Sequence, residues 1–235
     1  MVKLWNARTP SKFRFSAKFP QVITHVKKFR NCQKELELFY EAMEPLKDKL
    51  LTLLIQFPPS LKIKEGLEAL DQYDFYLDDT YRYAVEVRHS SWFSDLAYNF
   101  FKNNKICLVW NQLDIIQTPP VVTSDFIYIR FLGDRSISET DFGTIQRNRV
   151  QEMAKWADKL KEVQKYERHV KTALVAANNH YAGFGPSTSN AFREMLGLMQ
   201  VNWGVEKEIP RKVEFEEDHK KRAMKQTSLS DFISK

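Results

Sequence analysis

No stretch of the sequence approaches the roughly 18 uninterrupted apolar residues of a membrane-spanning helix. The opening Met1-Val2-Lys3-Leu4-Trp5-Asn6-Ala7-Arg8 lacks the apolar centre of a secretory signal. Both absences point to an intracellular protein with no membrane partner, cytoplasmic or associated with the nucleoid. Cysteine is almost missing. Cys32 and Cys107 stand far apart without a Cys-x-x-Cys partner, so neither a zinc ribbon nor a disulfide framework is indicated and both read as small buried residues. No internal repeat, low-complexity run or compact metal-ligand spacing such as HExxH occurs. What is present is apolar: 43% hydrophobic and 13% aromatic content over 235 residues supplies the core of one large α/β domain or two small ones. A net charge of +6 permits nucleic-acid binding without demanding it.

Along the chain, short apolar runs alternate with helical patterns. Phe13 to Phe19 alternates at period two and stops at Pro20, and Leu50 to Phe57 is a continuous apolar run closed by Pro58 and Pro59. Further buried strands are expected at Tyr83 to Arg88, Ile106 to Trp110, Phe126 to Arg130 and Thr172 to Ala176. Leu36, Phe39, Tyr40, Met43 and Leu46 recur at three and four and predict a helix within 30–50, with others near 62–71, 93–103 and 144–169. Regular alternation implies a parallel sheet with helices outside, an α/β fold of the TIM type. A closed (β/α)₈ barrel has eight strands in about 250 residues, and six are countable here. The expected organisation is a barrel domain over 1–204, a charged linker over 205–225 and a tail over 226–235.

Polar residues gather at the strand ends. Period two puts Glu86 and Arg88 on one face of their strand, with His89 and Trp92 in the loop beyond. Charged residues in an apolar strand are rarely buried without partners, which favours a site at a barrel mouth over core packing. The run Val85-Glu86-Val87-Arg88-His89-Ser90-Ser91-Trp92-Phe93, with Ala177 to Gly183 and Asn190-Ala191, resembles the YecE-like family, domain of unknown function 72. Phe15 to Lys18, Ile23-Thr24-His25, Gln56 to Pro59 and Tyr128-Ile129-Arg130 match it in order, so the resemblance covers roughly residues 5–200. It implies a TIM-type barrel, in a family whose reaction is not generally established. The glycine-rich first strand and acidic second strand of the family are missing, since Met1 falls where the second helix would be. The expectation is a barrel lacking its first two strands, either open or begun further upstream.

Each candidate residue has two readings. Lys18, in a desolvated barrel mouth, can act as an amine nucleophile, and is otherwise a surface lysine. Glu86 can serve as general acid or base or metal ligand, or simply as the salt-bridge partner of Arg88. His25, His89 and His180 follow strands, where three imidazoles with Glu86 could hold a divalent metal, or each could be a hydrogen-bonded loop group. Any cofactor is thus either none or a divalent cation. Asn178 and Asn179 follow the last strand, where barrels often bind phosphate, though loop capping by Asn is common. Trp92, Tyr181 and Phe184 could stack on an extruded base or lid the core. His25, Arg88, Arg130 and Asn190 complete the candidates for phosphate or nucleic-acid contact, and His89 stands with Lys18 and Glu86 as a catalytic candidate. The helix region from Arg147 to Lys171 interleaves both charge signs and reads mostly as a solvated face.

The end of the chain looks like a sliding-clamp-binding peptide, a PIP-box-like motif for a PCNA-like partner. Gln226, Leu229, Phe232 and Ile233 fill its positions in order, with Ile233 in place of the second aromatic. A single 3₁₀ turn eclipses side chains three apart and would project Leu229 and Phe232 together into an apolar pocket. The alternative is a frayed tail docked on its own domain. With DNA as partner, the readings are a glycosylase/lyase using Lys18 as nucleophile and Glu86 as proton shuttle, or a metal-dependent endonuclease. Outside DNA chemistry stand a sugar-phosphate barrel enzyme and a non-catalytic clamp adaptor.

Overall fold

A computed structural model describes residues 1–73, 77–133 and 136–202. The expected linker and tail lie outside the described residues, and so does the clamp motif. The apolar runs form seven parallel strands: β1 (Phe15–Lys18), β2 (Leu50–Gln56), β3 (Tyr83–Glu86), β4 (Cys107–Leu108), β5 (Trp110–Gln112), β6 (Phe126–Phe131) and β7 (Thr172–Ala177). They are ordered β1-β2-β3-β4 and β5-β6-β7. β4 and β5 are two halves of the one expected strand, interrupted only at Val109. The first half pairs with β3 and the second with β6, while the Val109 N–H donates to Val85 O at 2.9 Å. All six expected strands are therefore present, in sequence order and parallel.

This row of strands is curled. The Ser16 hydroxyl on β1 donates to the Tyr128 hydroxyl on β6 at 3.4 Å, across the inner face. Leu54, Ala84, Cys107, Val109, Phe126 and Tyr128 pack together on that face. Larger apolar clusters on the other face bury the helices, as the near-continuous apolar strands require. The α/β fold with parallel sheets is that expected for a TIM-type barrel short of two strands. Among the described residues, β1 and β7 are each paired along one edge only. No helix among them is long and apolar enough to cross a membrane.

The helices are α1 (Val2–Arg8), α2 (Gln33–Met43), α3 (Ile63–Tyr73), α4 (Asp95–Asn103), α5 (Val150–Tyr166), α6 (Asn179–Ala182) and α7 (Gly185–Met195). α2 ends before the expected point because Pro45 has no N–H to continue its ladder, and Glu44–Lys49 tightens to a 3₁₀ turn. α5 begins at Val150, later than its periodicity suggests. The preceding backbone is held elsewhere: the N–H groups of Gln146 and Arg147 both donate to Ala182 O, at 2.7 and 3.3 Å.

Gly66 on α3 shows how tightly the outer layer is packed. A Cβ there would lie 2.2 Å from Trp92 Cζ2. That ring is fully buried, stacks on Phe57 and Phe101 with centroids 5.3 and 5.8 Å away, and is tethered by its N–H to Leu61 O at 2.9 Å. Alanine gains up to about 1 kcal/mol of helix propensity over glycine, but overpacking a core site costs about 1–3 kcal/mol. The tethered ring puts this site at the upper end, so Gly66→Ala should lower the melting temperature. A thermal melt showing no change or an increase would mean that the ring can move aside.

Candidate functional site

The charged residues of the inner face, Lys18, Glu86 and Arg130, sit at or near the C-terminal ends of their strands, where barrel enzymes place their chemistry. Glu86 is the last residue of β3 and is completely buried. Its Oε1 accepts from Arg88 Nε at 2.7 Å, and its Oε2 accepts from Arg130 Nη1 on β6. An isolated buried carboxylate would be expensive, and two charge-assisted hydrogen bonds make this one tolerable. Both oxygens are engaged, so the carboxylate holds two guanidiniums in place at the mouth. Arg88 and Arg130 keep side-chain exposures of 25% and 17%, enough to present their free edges to a ligand.

Lys18, at the end of β1, adds a third cation to the same mouth. Its pKa is held below the ordinary lysine value, by burial first and then by the positive charge of Arg130 and Arg88, with Glu86 opposing. His25 lies against the same group. Burial, then Lys18 and Arg88, push its pKa down against the pull of Glu86, while its Nδ1 lies 2.8 Å from Thr24 Oγ1. The mouth therefore carries Lys18, Arg88 and Arg130 against one carboxylate, an excess of positive charge suited to an anion. Among the described residues no three His, Cys, Asp or Glu side chains come together. His25, His89 and His180 do not converge with Glu86, whose oxygens are already taken by guanidiniums, so this donor set does not fit a divalent metal.

The family described as "Protein of unknown function DUF72" matches residues 1–213. The chain belongs to the DUF72 family. A segment of 94 residues, 40% of the chain, is 33% identical to UPF0759 protein YecE of Escherichia coli K12, and spans 34% of that relative's length. Two crystal structures of DUF72 family proteins are similar in fold. The one from Thermotoga maritima MSB8 is 27% identical, with a TM-score of 0.65 over 81% of this chain and 76% of its own. One from Enterococcus faecalis V583 is 25% identical, with a TM-score of 0.67 over 84% and 83%.

Several residues in the DUF72-like motifs serve the scaffold. Trp92 and Tyr181 are fully buried, which leaves neither with a face open to stack on a base. The Tyr181 ring lies 4.9 Å from that of Phe131, and its hydroxyl donates to Glu152 at 3.3 Å. His89 Nδ1 accepts the Ser91 N–H at 3.1 Å and caps a 3₁₀ turn. Asn178 Oδ1 accepts from His180 N at 3.0 Å, and Asn179 Oδ1 from Gly185 N at 2.8 Å. Asn190 fastens the chain after α7 by a pair of hydrogen bonds to the Val201 backbone, at 2.8 and 2.9 Å. The His180 Nε2 lies 3.3 Å from Glu139 Oε1. Arg149 ties α5, α6 and the segment after β5 together, donating to Glu152, Tyr181 O and Asp114 at 2.9, 3.0 and 3.1 Å.

Two residues at the same level of the barrel were not among the site candidates drawn from the sequence. Gln56 is the register partner of Glu86, and Asn111 is that of Arg130. Both are buried polar residues near the C-terminal ends of their strands. Their period-two spacing from the inward Leu54 and Val109 was the available signal.

Proposed function

We propose that this DUF72 chain is a DNA-processing enzyme whose barrel mouth binds a phosphate-bearing strand and whose tail is recruited by a sliding clamp. The observation that carries the reading is the set of three cations, Lys18, Arg88 and Arg130, around the single buried carboxylate of Glu86. Between the two mechanisms, the lysine is favoured over the metal. Lys18 is desolvated among positive charges, which raises the fraction present as neutral amine, whereas the histidines are scattered. On an abasic sugar the Lys18 Nζ adds to the aldehyde carbon, and loss of water after proton transfer leaves an imine. Arg88 and Arg130 hold the flanking phosphate, and Glu86 holds them.

Borohydride reduces such an imine to a stable secondary amine. Trapping on abasic DNA should therefore link the chain to the oligonucleotide, insensitively to chelator, and Lys18→Arg should abolish the adduct. Trapping unaffected by Lys18→Arg would remove Lys18 from the chemistry. DNA affinity should also fall steeply with salt as phosphate contacts release counterions. Tight binding of inorganic phosphate with no affinity for DNA at low salt would move the reading to a small phosphorylated substrate.

A further inference from the structure

Two buried polar atoms in the mouth have no hydrogen-bond partner: Asn111 Oδ1 and Arg130 Nε. They belong to residues directly paired across β5 and β6. Asn111 is completely buried. It follows Val109 by two positions, and Arg130 follows Tyr128 by two, so both side chains share the inner face of the barrel with those packed residues. The amide orientation of Asn111 is fixed, because its Nδ2 donates to Val87 O at 2.9 Å. That leaves Oδ1 as an acceptor beside a guanidinium whose Nη1 is committed to Glu86. Buried polar atoms are rarely left unpaired, and an unpaired donor and an unpaired acceptor on register-paired residues mark a position for a third group.

We propose that Asn111 and Arg130 form a hydroxyl subsite on the floor of the mouth, which takes a sugar hydroxyl of the phosphate-bearing substrate. The chemistry selects the ligand. The dianion of a phosphate ester only accepts, so it would satisfy Arg130 and leave Asn111 orphaned. An ammonium only donates and is repelled by the guanidinium. A neutral hydroxyl accepts from Arg130 Nε–H and donates to Asn111 Oδ1 at once. In DNA the corresponding group is the hydroxyl that an abasic sugar carries where its base has been lost. An ordered water has the same chemistry, and the subsite rests on the phosphate-binding reading, so the experiment separates these.

The full chain is titrated by calorimetry with inorganic phosphate, ribose 5-phosphate and propyl phosphate, the last an ester without hydroxyls. A site built to hydrogen-bond a hydroxyl discriminates against analogues lacking it, and ribose 5-phosphate should bind at least about tenfold more tightly than propyl phosphate. Asn111→Leu should erase that advantage and leave propyl phosphate affinity within about twofold, since the phosphate contacts lie on other atoms. Asn111→Ala serves if the leucine variant does not fold. Equal binding of the two esters by the wild-type chain overturns the subsite and assigns the pair to a water. A ribose advantage that survives in both variants overturns the role of Asn111. No binding of any phosphate overturns the subsite and the phosphate reading together, whereas phosphate binding without ribose preference leaves the latter standing.

Discussion

Glu86→Gln should destabilise the barrel more than any other single polar substitution in the mouth, and added phosphate should restore part of the loss. Removing one member of a buried ion pair costs about 3–5 kcal/mol, because the surviving charge stays desolvated. Here two guanidiniums survive, but each keeps some solvent contact, which places the effect near the lower end of that range. In a domain of this size about 3 kcal/mol corresponds to a fall in melting temperature of roughly 6–12 °C. The amide keeps one acceptor oxygen, turns the other into an NH2 donor facing a guanidinium, and supplies no charge. A phosphate arriving at the mouth can replace the lost negative charge, so its stabilising effect through mass action should be larger for the variant than for the wild type. Thermal melts of both proteins with and without phosphate, at constant ionic strength, measure this. An unchanged melting temperature would show that the guanidiniums do not need the carboxylate. A large fall with equal phosphate effects in both proteins would show that the mouth does not bind anions.

The sequence made the frame of the molecule legible and its chemistry only partly so, for a physical reason in each case. Strands such as Leu50–Gln56 are buried on both faces, so they read as continuous apolar runs, and the prolines that follow mark their ends. Helix ends depend on particular hydrogen bonds. Periodicity alone could not show that Gln146 and Arg147 donate across to Ala182 instead of entering α5. At the mouth, Glu86 and Arg88 were conspicuous because charge in an apolar strand is rare, and the match to DUF72 added Arg130 and Lys18. Asn111 was not conspicuous, since an amide pair with Gln112 just past an apolar run resembles a loop until the register of Asn111 with Arg130 is known. The opposite difficulty affected Asn178, Asn179 and Asn190. A capping amide and a ligand-binding amide are the same residue type after the same kind of element, and only the position of the acceptor separates them. Aromatics behave alike: Trp92 in a loop sequence looks like a stacking platform, yet apolar area of that size gains more from burial against Phe57 and Phe101.

The clamp recruitment we propose for the tail carries the other large effect. Full-length chain should bind a sliding clamp, a chain ending at Lys225 should not, and Phe232→Ala should weaken binding by at least about tenfold. Small interfaces are dominated by one or two buried aromatic anchors, whose truncation costs on the order of 2 kcal/mol or more, and each 1.4 kcal/mol is a factor of ten. Phe232 is the only aromatic in the motif, because Ile233 occupies the place of the second, so the dependence on it should be steeper than in a motif with two. Gln226, which the motif would set at a wetter rim where water can replace its hydrogen bonds, should matter less than Phe232, and Leu229 should fall between them. The approach Lys220-Lys221-Arg222-Ala223-Met224-Lys225 adds positive charge beside an acidic clamp surface, which predicts faster association at low salt and little change in dissociation. Calorimetry with the full chain, the truncation and Phe232→Ala gives the affinities. Trapping on short abasic oligonucleotides should survive both changes, because the cation cluster lies on the barrel and the motif more than twenty residues beyond its last described residue. If the truncated chain binds clamp as well as the full one, the four matched positions are a coincidence. Recruitment then falls, and the DNA reading rests on the cations of the mouth alone.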